Sequence, residues 1–419
     1  MKILLVGHAC GPDRGSEPGV TWHFAWHLSL AHEVWVMTDP QFRADIERYL
    51  ELHPNPNLNF VWVGLPPRWD PRRTPGSDKG IRLHYLFWQR AVLREARQLH
   101  RKQNFDVVHH LSWGTISAPP LLWRLPIPFV WGPIGGGQTT PVAFRRYFGV
   151  GWGREVLRTL RVKVATRLPG LRRAVRESAL ILSTNPETTH ALTAAGARQV
   201  RFFPNIGVPE QLMGHSPDEH APKRRELVIL WVGRLIPLKG LPLALEALAQ
   251  IDRSSPVRLR ILGEGPLRAD MENLARSLGV SDRVEFVGAV PWSQMMDYYR
   301  GADVFLFTSL RDSSGAVITE ALAYRLPILT LNHQGVGAIV PPEAAIKVAV
   351  TNPEETVRAL AAGIRRLAES PQLRRQMGEA GWIHAQGMGW QQRAEQMTEW
   401  YEEVVVNYRG NERYAYAAL

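Results

Sequence analysis

The chain has 419 residues, of which 45% are hydrophobic and 21% charged, and its net charge is +11. Domains usually hold ~100–200 residues, so this length predicts two domains, and the composition excludes a disordered or fibrous protein. Cys10 is the only cysteine, which excludes an intrachain disulfide and a cysteine-rich metal site, and no run of ~18 apolar residues predicts a transmembrane helix. We therefore expect a cytoplasmic protein. The short apolar run at residues 3–6 is too brief for a signal-peptide core and predicts a buried first strand.

The first half of the chain alternates short apolar runs with longer helical patterns, which is typical of βα units that build a parallel sheet. The predicted strands are Lys2–Val6, Val34–Met37, Leu58–Val63, Asp106–His109, Pro128–Val130 and Leu180–Ser183. The predicted helices are Gly19–Leu30, Ile81–Gln103 and Glu155–Arg176. Residues 1–206 are thus predicted to form an N-terminal α/β domain.

The prolines of residues 203–209, followed by a polar stretch to Lys223, suit an interdomain linker, after which the same alternation resumes. The predicted strands are Leu227–Val232, Val257–Leu262, Val284–Val287, Asp303–Phe307 and Ile328–Leu331. Helices are predicted over residues 267–278 and after Asn352-Pro353, where apolar residues recur at helical spacing. Residues 207–389 are predicted to form a second α/β domain, and we expect the helix of residues 390–419 to pack back on the first.

Positive charge is concentrated in the first half of the chain. Residues 1–206 hold 27 Lys and Arg against 14 Asp and Glu, a balance of +13, which leaves 50 − 27 = 23 against 39 − 14 = 25, or −2, for the remainder. Residues 145–176 contain ten Lys and Arg and one acid, Glu155. An apolar stripe accompanies these charges, with aromatic residues before it: Tyr147, Phe148, Trp152, Val156, Leu157, Leu160, Val164 and Leu168. This segment is either an interfacial helix that binds anionic lipid or a solvated helix whose stripe faces the core.

The loops that follow strands are the places where an open parallel sheet binds ligands. After the strand 227–232, Arg234 and Lys239 lie five residues apart before a predicted helix. Arginine can donate to two phosphate oxygens, lysine adds a point charge, and a helix N-terminus presents free N–H groups to the same anion. The alternative is a surface turn with two solvated cations.

After the strand 303–307, a loop of small residues runs into another predicted helix. Gly315 allows close backbone approach to a ligand, and Asp312 and Glu320 can accept hydrogen bonds from vicinal hydroxyls. The alternative is that Asp312 caps the helix and Glu320 is an exposed helix acid.

Together the two loops, with Ile261–Leu267 and Val284–Gly288 between them, resemble the family 4 retaining glycosyltransferases of GT-B fold. The resemblance covers most of the chain and implies two Rossmann-like domains whose parallel sheets face a central cleft, an N-terminal one for the acceptor and a C-terminal one for a nucleotide sugar. It implies that Arg234 and Lys239 bind the donor diphosphate, Glu320 the ribose and Asp312 the sugar. The donor-binding residues it implies are Gly233, Arg234, Lys239, Gly263, Glu264, Gly265, Asp312, Ser313, Ser314, Gly315, Ala316, Val317 and Glu320. The family usually has Glu where this chain has Asp312; since Asp is one methylene shorter, the sugar must sit closer or another hydroxyl must be bound.

Two N-terminal segments are similar to the family's acceptor-side loops. The first contains Gly15, Ser16 and Glu17, and the second contains Gly135, Gly136 and Gly137. Three successive glycines leave no side chains to pack, so we expect a close approach to a ligand, the alternative being a tight turn. The family also places a histidine that faces the donor sugar at the end of the predicted strand 106–109. Here His109 or His110 takes that role, or both are structural.

The resemblance implies catalysis without a protein nucleophile, in which Arg234 and Lys239 stabilise a leaving diphosphate that itself helps to deprotonate the acceptor. It implies that Asp312, with His109 or His110, acts at the donor sugar. No Asp-x-Asp triplet occurs, so we expect no metal and no cofactor. The predicted function is transfer of a hexosyl group from a UDP- or GDP-linked sugar to a lipid-linked or polysaccharide acceptor in bacterial cell-surface glycan synthesis. The alternatives are a sugar-nucleotide epimerase and a non-catalytic sugar-nucleotide-binding protein. The basic N-terminal half predicts peripheral contact with an anionic membrane, at the inner face of the cytoplasmic membrane, and no nucleic acid.

Overall fold

The computed structural model describes residues 1–12, 16–72, 79–209, 212 and 226–417. The chain divides into two compact units. The first unit contains Met1–Gly137, Leu160–Asn205 and Trp390–Leu419, and the second contains Gln138–Thr159 and Ile206–Gly389. Residues 138–159, which the sequence placed in the N-terminal domain, therefore lie in the second unit.

The first unit is a seven-stranded parallel sheet in the order β3-β2-β1-β4-β5-β6-β7. Its strands are β1 (Lys2–Gly7), β2 (Glu33–Thr38), β3 (Leu58–Trp62), β4 (Val107–Ser112), β5 (Phe129–Ile134), β6 (Leu180–Ser183) and β7 (Val200–Phe202). The helices in this part of the chain are α1 (Ser16–Ser29), α2 (Arg43–Leu52), α3 (Ile81–Gln103), α4 (Trp152–Ala165), α5 (Pro169–Glu177) and α6 (Pro186–Ala194). The division between the units falls within α4, between residues 159 and 160.

The second unit repeats this topology with a six-stranded parallel sheet in the order β10-β9-β8-β11-β12-β13. Its strands are β8 (Leu227–Val232), β9 (Val257–Leu262), β10 (Val284–Gly288), β11 (Val304–Phe307), β12 (Ile328–Leu331) and β13 (Ala345–Val348). The helices that follow are α7 (Leu241–Ala249), α8 (Arg268–Ser277), α9 (Trp292–Arg300), α10 (Ala316–Ala323), α11 (Gln334–Ile339), α12 (Pro353–Glu369) and α13 (Pro371–Gln386). The predicted architecture of two parallel-sheet α/β domains is confirmed.

The last helix, α14 (Trp390–Ala417), packs in the first unit. Trp390, Met397 and Tyr401 are buried in the same hydrophobic cluster as the inner residues of β1 and α1. Arg393 is also buried and donates to the carbonyl of Pro204. In the part of the chain that the structure describes, no helix is long and apolar enough to span a bilayer.

All eleven strands predicted from the sequence are present, with ends that differ by at most four residues. The sequence analysis missed β7 and β13, which have three and four residues, and it missed α2, α6, α9, α11 and α13. A signal for α6 was available: Asn185 accepts a hydrogen bond from Thr188 N at 2.8 Å, and Pro186 occupies the first helical position.

The prediction of one helix over residues 155–176 is wrong, because Pro169 lacks the N–H that would continue it, and the chain forms α4 and α5 instead. The apolar stripe of this segment faces solvent rather than the core. Its members are between 46% and 55% exposed: Val156, Leu157, Leu160, Val164 and Leu168. The aromatic residues before it do the opposite, since Phe148 is buried in the core of the second unit and Tyr147 and Trp152 pack against it.

Candidate functional site

The second unit has the strand order of a doubly wound sheet, and its direction of winding reverses between β8 and β11. Parallel sheets of this kind bind ligands beyond the carboxyl ends of the strands at this point of reversal. The loops that follow β8 and β11 are residues 233–240 and 308–315. They are the two loops that the sequence analysis selected.

Backbone hydrogen bonds hold three loops together at this edge of the sheet. Leu235 N donates to Glu264 O at 2.9 Å, which joins the loop after β8 to the loop after β9. Leu310 N donates to Leu238 O at 2.7 Å, which joins the loop after β11 to the loop after β8. The backbone that surrounds the candidate site is therefore fixed by contacts that do not depend on side chains.

Two glycines are required by this packing. Gly240 has φ 64°, and a Cβ atom there would lie 2.2 Å from the carbonyl oxygen of Thr308. Gly263 has φ 131°, and a Cβ atom would lie 2.0 Å from the carbonyl oxygen of Gly233. Both positions combine a left-handed backbone with a close approach that L side chains cannot make. The close approach of backbone to backbone explains these glycines without a ligand.

The two loops bring Lys239 and Asp312 into direct contact. Lys239 Nζ lies 2.5 Å from Asp312 Oδ2, and about a fifth of each side chain is exposed (22% and 20%). Ser309 Oγ donates to the same carboxylate oxygen at 3.4 Å, and Ser313 N donates to Asp312 Oδ1 at 2.9 Å. Asp312 thus holds the ammonium group at the mouth of the site and balances its charge.

Arg234 lies in the same loop as Lys239 and is exposed. Glu264, in the neighbouring loop, forms an ion pair with Arg268 one turn into α8. A guanidinium that faces solvent is available to an anion, whereas the carboxylate of Glu264 is engaged within its own loop and helix. Arg234 stays a predicted phosphate ligand and Glu264 a predicted donor contact.

Glu320 lies one turn into α10 and is positioned by a tyrosine from α9. Tyr299 is buried, and its hydroxyl donates to Glu320 Oε2 at 2.6 Å. Burial, together with the negative charge of Glu320, raises the pKa of Tyr299 well above its usual value, so this hydroxyl stays protonated as a donor. The helix starts immediately after Gly315, whose φ is 68°. Of the other predicted residues around Gly315, Ser314 is buried, and Ser313, Ala316 and Val317 are at least partly accessible.

A segment from the first half of the chain completes the surroundings of Asp312. Gln334 Oε1 accepts from Asp312 N at 2.9 Å, while Gln334 Nε2 donates to Thr139 O at 2.9 Å. Gln138 Nε2 donates to Ser313 Oγ at 2.8 Å. Sequence analysis missed these residues because the contacts join positions 175 and 195 residues apart, and no local pattern reports such a pairing.

An ion pair fixes the same segment at a second point. Arg311 Nε and Nη2 donate to the carboxylate of Glu155 at 3.0 and 3.2 Å, and Thr140 Oγ1 donates to Glu155 Oε2 at 2.9 Å. The one acid of the basic segment 145–176 therefore supports the loop that carries Asp312.

In the first unit, the structure buries both histidines that the sequence offered for a sugar contact. His109 Nε2 donates to Gly132 O at 2.7 Å, and His109 Nδ1 accepts from Tyr401 OH at 2.5 Å, so both ring nitrogens are used. Tyr85 OH lies 2.7 Å from His110 Nε2. Burial lowers the pKa of each histidine to about 3, so both are neutral. With side chains 0% and 1% exposed, the two residues join elements within the first unit.

The glycine triplet after β5 also has a packing explanation. A Cβ atom on Gly137 would lie 2.6 Å from Thr188 Cα, and Gly137 N donates to Thr188 Oγ1 at 3.0 Å. Gly135 N donates to Gly114 O at 2.8 Å, and Gly136 has φ 102°. The triplet lets the strand end approach α6 and a neighbouring loop closely, which accounts for the glycines without the ligand that the sequence analysis expected.

The other predicted acceptor-side loop is described only in part, since Gly15 lies outside the described residues. Ser16 begins α1, and Glu17 follows it. Glu17 Oε1 accepts from Gly114 N at 3.3 Å. Burial raises the pKa of Glu17, which makes this carboxyl a stronger base than an exposed one.

Among the described residues of the first unit, one group has side chains that could hold a metal ion. His8, Asp39 and His84 place one ligand atom each within 4.8 Å of one another, and all three are buried. Arg72 Nη1, however, lies 3.1 Å from Asp39 Oδ2, and Arg72 Nη2 lies 2.8 Å from Asp70. The guanidinium thus supplies positive charge where a metal ion would supply it. Burial lowers the pKa of His8 to about 4, which keeps its imidazole neutral.

The comparison with known families matches residues 215–382 to the model of the glycosyl transferases group 1. A D-inositol 3-phosphate glycosyltransferase of Nocardia farcinica is 32% identical over 344 residues, which cover 77% of this chain and 72% of that protein. The chain spans about half the length of the first curated relatives that it matches, namely 44%, 56% and 50%.

Solved structures with this fold have low sequence identity. Sucrose-phosphate synthase from Thermosynechococcus elongatus is 19% identical, with a TM-score of 0.63 over 97% of this chain and 99% of that one. HepE from Anabaena in complex with UDP is 18% identical, with a TM-score of 0.63 over 96% of this chain and 100% of that one. These neighbours are glycosyltransferases of GT-B type and establish the fold. The Nocardia relative, in agreement with the family model, shows that the chain belongs to the group 1 glycosyltransferases.

Proposed function

We propose that this protein is a retaining glycosyltransferase that moves a hexosyl group from a UDP- or GDP-linked sugar to a lipid-linked or polysaccharide acceptor. The observation that carries the proposal is the contact between Lys239 and Asp312, with Arg234 in the same loop, at the point where the second sheet reverses its winding. Two cations beside carboxylates and hydroxyls suit a ligand that has a diphosphate at one end and vicinal hydroxyls at the other.

Different residues of the site bind the diphosphate, the ribose and the sugar of the donor. Arg234 and Lys239 bind the diphosphate, and the first amides of α7 add partial positive charge from a helix N-terminus. Glu320, held by Tyr299, accepts hydrogen bonds from the ribose hydroxyls. Asp312 accepts from a sugar hydroxyl once Lys239 has turned toward phosphate. The negative charge that develops on the departing diphosphate is stabilised by the same cations, and this stabilisation lowers the barrier to bond cleavage.

In this mechanism no protein nucleophile and no metal ion take part. The bond between the anomeric carbon and the diphosphate breaks, and the departing diphosphate takes the proton of the acceptor hydroxyl. The acceptor oxygen then bonds to the anomeric carbon on the face from which the diphosphate left, so the anomeric configuration is retained. Two cations already neutralise the diphosphate, which is the task that a divalent metal performs in metal-dependent transferases.

The acceptor part of the proposal is supported by the +13 balance of residues 1–206. A basic acceptor-side domain attracts anionic partners, such as a glycan carried on a phospholipid-like anchor or a charged polysaccharide. We place the reaction at the inner face of the cytoplasmic membrane, where nucleotide sugars are available.

The test is release of nucleoside diphosphate from a panel of UDP-, GDP- and dTDP-linked sugars, with and without a lipid extract as acceptor and with EDTA present. We expect one donor to be turned over, with acceptor-dependent release that EDTA does not affect. The anomeric signal of the product should show the same configuration, axial or equatorial, as that of the donor. An epimerase would interconvert the donor without acceptor-dependent release. Donor binding without turnover would indicate a non-catalytic protein.

A further inference from the structure

The second half of α4 presents an apolar face to solvent. Leu160, Val164 and Leu168 are 55%, 47% and 52% exposed. Leu160 and Val164 are four residues apart on one side of α4, and Leu168 lies in the turn between α4 and α5. Val162, on another side, is 8% exposed and packs in the core of the first unit. A surface helix normally turns apolar residues inward and polar ones outward; this helix has apolar residues on both sides.

Basic residues accompany the exposed apolar ones. Arg161, Lys163 and Arg167 are exposed beside them, and residues 156–176 hold seven Lys and Arg and no acid. The α4 face is defined here as Leu160, Arg161, Lys163, Val164, Arg167 and Leu168. Long basic side chains can extend their charged ends to the level of lipid headgroups while their methylenes lie along apolar surface. Exposed apolar residues flanked by cations are the composition of a helix that lies in a membrane interface.

A groove rich in arginine lies on the same unit. Arg90, Arg94, Arg97 and Arg101 follow one another along a single side of α3, and Arg124 completes the lining. Guanidinium groups in such an arrangement repel one another unless anions lie between them, and arginine donates two hydrogen bonds to one phosphate group.

Stacked side chains connect this groove to α5, the helix that follows the α4 face. The guanidiniums of Arg124 and Arg173 lie 4.9 and 5.0 Å from the ring centre of Trp123. Arg124 lines the groove, and Arg173 belongs to α5. The groove is therefore joined by stacked side chains to α5, which follows the α4 face directly in the chain.

We propose that the α4 face docks on an anionic lipid bilayer, with Leu160, Val164 and Leu168 inserted among the acyl chains and the flanking cations at the level of the phosphates. The arginine groove then receives lipid phosphate. A nucleic acid would satisfy the cations, but it offers nothing to three exposed aliphatic side chains, because protein contacts to it are mostly polar. This inference deepens the acceptor part of the proposed function, on which its biological meaning rests.

The experiment is sedimentation of the full chain with vesicles of phosphatidylcholine alone and of phosphatidylcholine with about one third phosphatidylglycerol. Two double variants test the two parts of the surface: Leu160→Glu with Val164→Glu, and Arg161→Glu with Lys163→Glu. Ile383→Glu is the matched control, since Ile383 is 62% exposed on α13 in the second unit. Circular dichroism and the melting temperature of each variant show that it is folded.

We expect the unaltered protein to bind the anionic vesicles at least tenfold more tightly than the neutral ones at low salt, with a loss of affinity as salt screens the charges. Each double variant should lose at least tenfold in affinity for anionic vesicles, whereas Ile383→Glu should bind like the unaltered protein. Equal binding to both vesicles, or unchanged binding by folded double variants, overturns the proposal. Binding to a DNA duplex without binding to vesicles would assign the surface to nucleic acid instead, and a dimer that Leu160→Glu dissociates would assign it to a second copy of the chain.

The vesicle measurement requires no sugar donor. Loss of vesicle binding with donor turnover intact would contradict only the docking surface, whereas absence of turnover with vesicle binding intact would contradict only the proposed function.

Discussion

Lys239 Nζ lies 2.5 Å from Asp312 Oδ2, although the two residues are 73 positions apart and belong to loops after different strands. The pair is only partly exposed, so its charges attract each other more strongly than a surface pair would. A diphosphate that enters the site must compete with this carboxylate for the ammonium group. Asp312 therefore both orients Lys239 and opposes the binding of an anion next to it.

Replacing Asp312 by Asn should separate donor binding from turnover. Asn keeps the shape of the side chain but removes the negative charge, so we expect a nucleoside diphosphate to bind a few-fold more tightly, while turnover falls at least tenfold because a charged contact to the sugar is lost. Calorimetry gives the affinity and product release gives the turnover. Weaker diphosphate binding by a folded Asp312→Asn variant would show that Asp312 does not compete for Lys239.

Replacing Lys239 by Met should weaken the binding of nucleoside diphosphate. A hydrogen bond to a charged group contributes about 1.5–3 kcal/mol, so the dissociation constant should rise by a factor of roughly 10 to 150. Arg375→Met is the control, since Arg375 is exposed on α13. Equal affinities for the two variants would exclude Lys239 as a phosphate ligand.

Replacing Tyr299 by Phe should loosen Glu320 without removing it. The hydroxyl of Tyr299 is buried and donates to Glu320 at 2.6 Å, so its loss should cost about 1 kcal/mol of stability. We also expect nucleotide affinity to fall several-fold, because the carboxylate loses the partner that orients it. Binding of a nucleoside diphosphate and of its 2′-deoxy analogue should be compared. If both lose the same factor, the defect does not act through the ribose.

Most of the second sheet and both of its ligand loops could be predicted from the sequence. The strands β8 and β11 are continuous apolar runs, and Lys239 and Asp312 lie in the loops that follow them, so a local pattern together with the geometry of parallel sheets places these two residues near each other. Gln138, Thr139 and Gln334 could not be predicted. Their contacts depend on a segment of the first half that crosses into the second unit, and this crossing leaves no periodic signal.

The histidines illustrate a second limit of sequence reasoning. His109 and His110 end a strand, and a strand end at the correct edge of a sheet is where a catalytic histidine would lie. His109 is covered by α14, which returns almost three hundred residues later and places Tyr401 against it, and His110 is covered by Tyr85 of α3. The position of the histidines at the end of a strand could be predicted from the local sequence. The elements that cover them could not, because those contacts join residues far apart in the chain.

Replacing Gln334 by Leu should destabilise the loop that carries Asp312, because it removes two hydrogen bonds of Gln334. Leucine matches the size of glutamine but leaves the N–H of Asp312 and the carbonyl of Thr139 without their partner. Each unsatisfied group costs about 1–3 kcal/mol, so we expect a lower melting temperature and a turnover reduced at least fivefold. Gln372→Leu, on the exposed surface of α13, is the control and should change neither quantity. A normal turnover in the destabilised variant would show that Gln334 supports only the fold.

The buried histidines predict a loss of stability in mild acid. The pKa of His109 is about 3 in the folded chain and about 6.5 when the chain is unfolded, so below pH 6.5 the unfolded state takes up a proton that the folded state does not. The contribution of His109 is therefore complete above pH 6.5 and is lost as the pH falls toward 3, at about 1.4 kcal/mol per pH unit. Urea unfolding at pH 7.5, 6.0 and 5.0 should show a slope at least this steep, because the pKa of His110 is lowered in the same direction. The slope should become shallower by about 1.4 kcal/mol per pH unit in His109→Gln. An unchanged slope in a folded His109→Gln variant would show that this imidazole is not held neutral by burial.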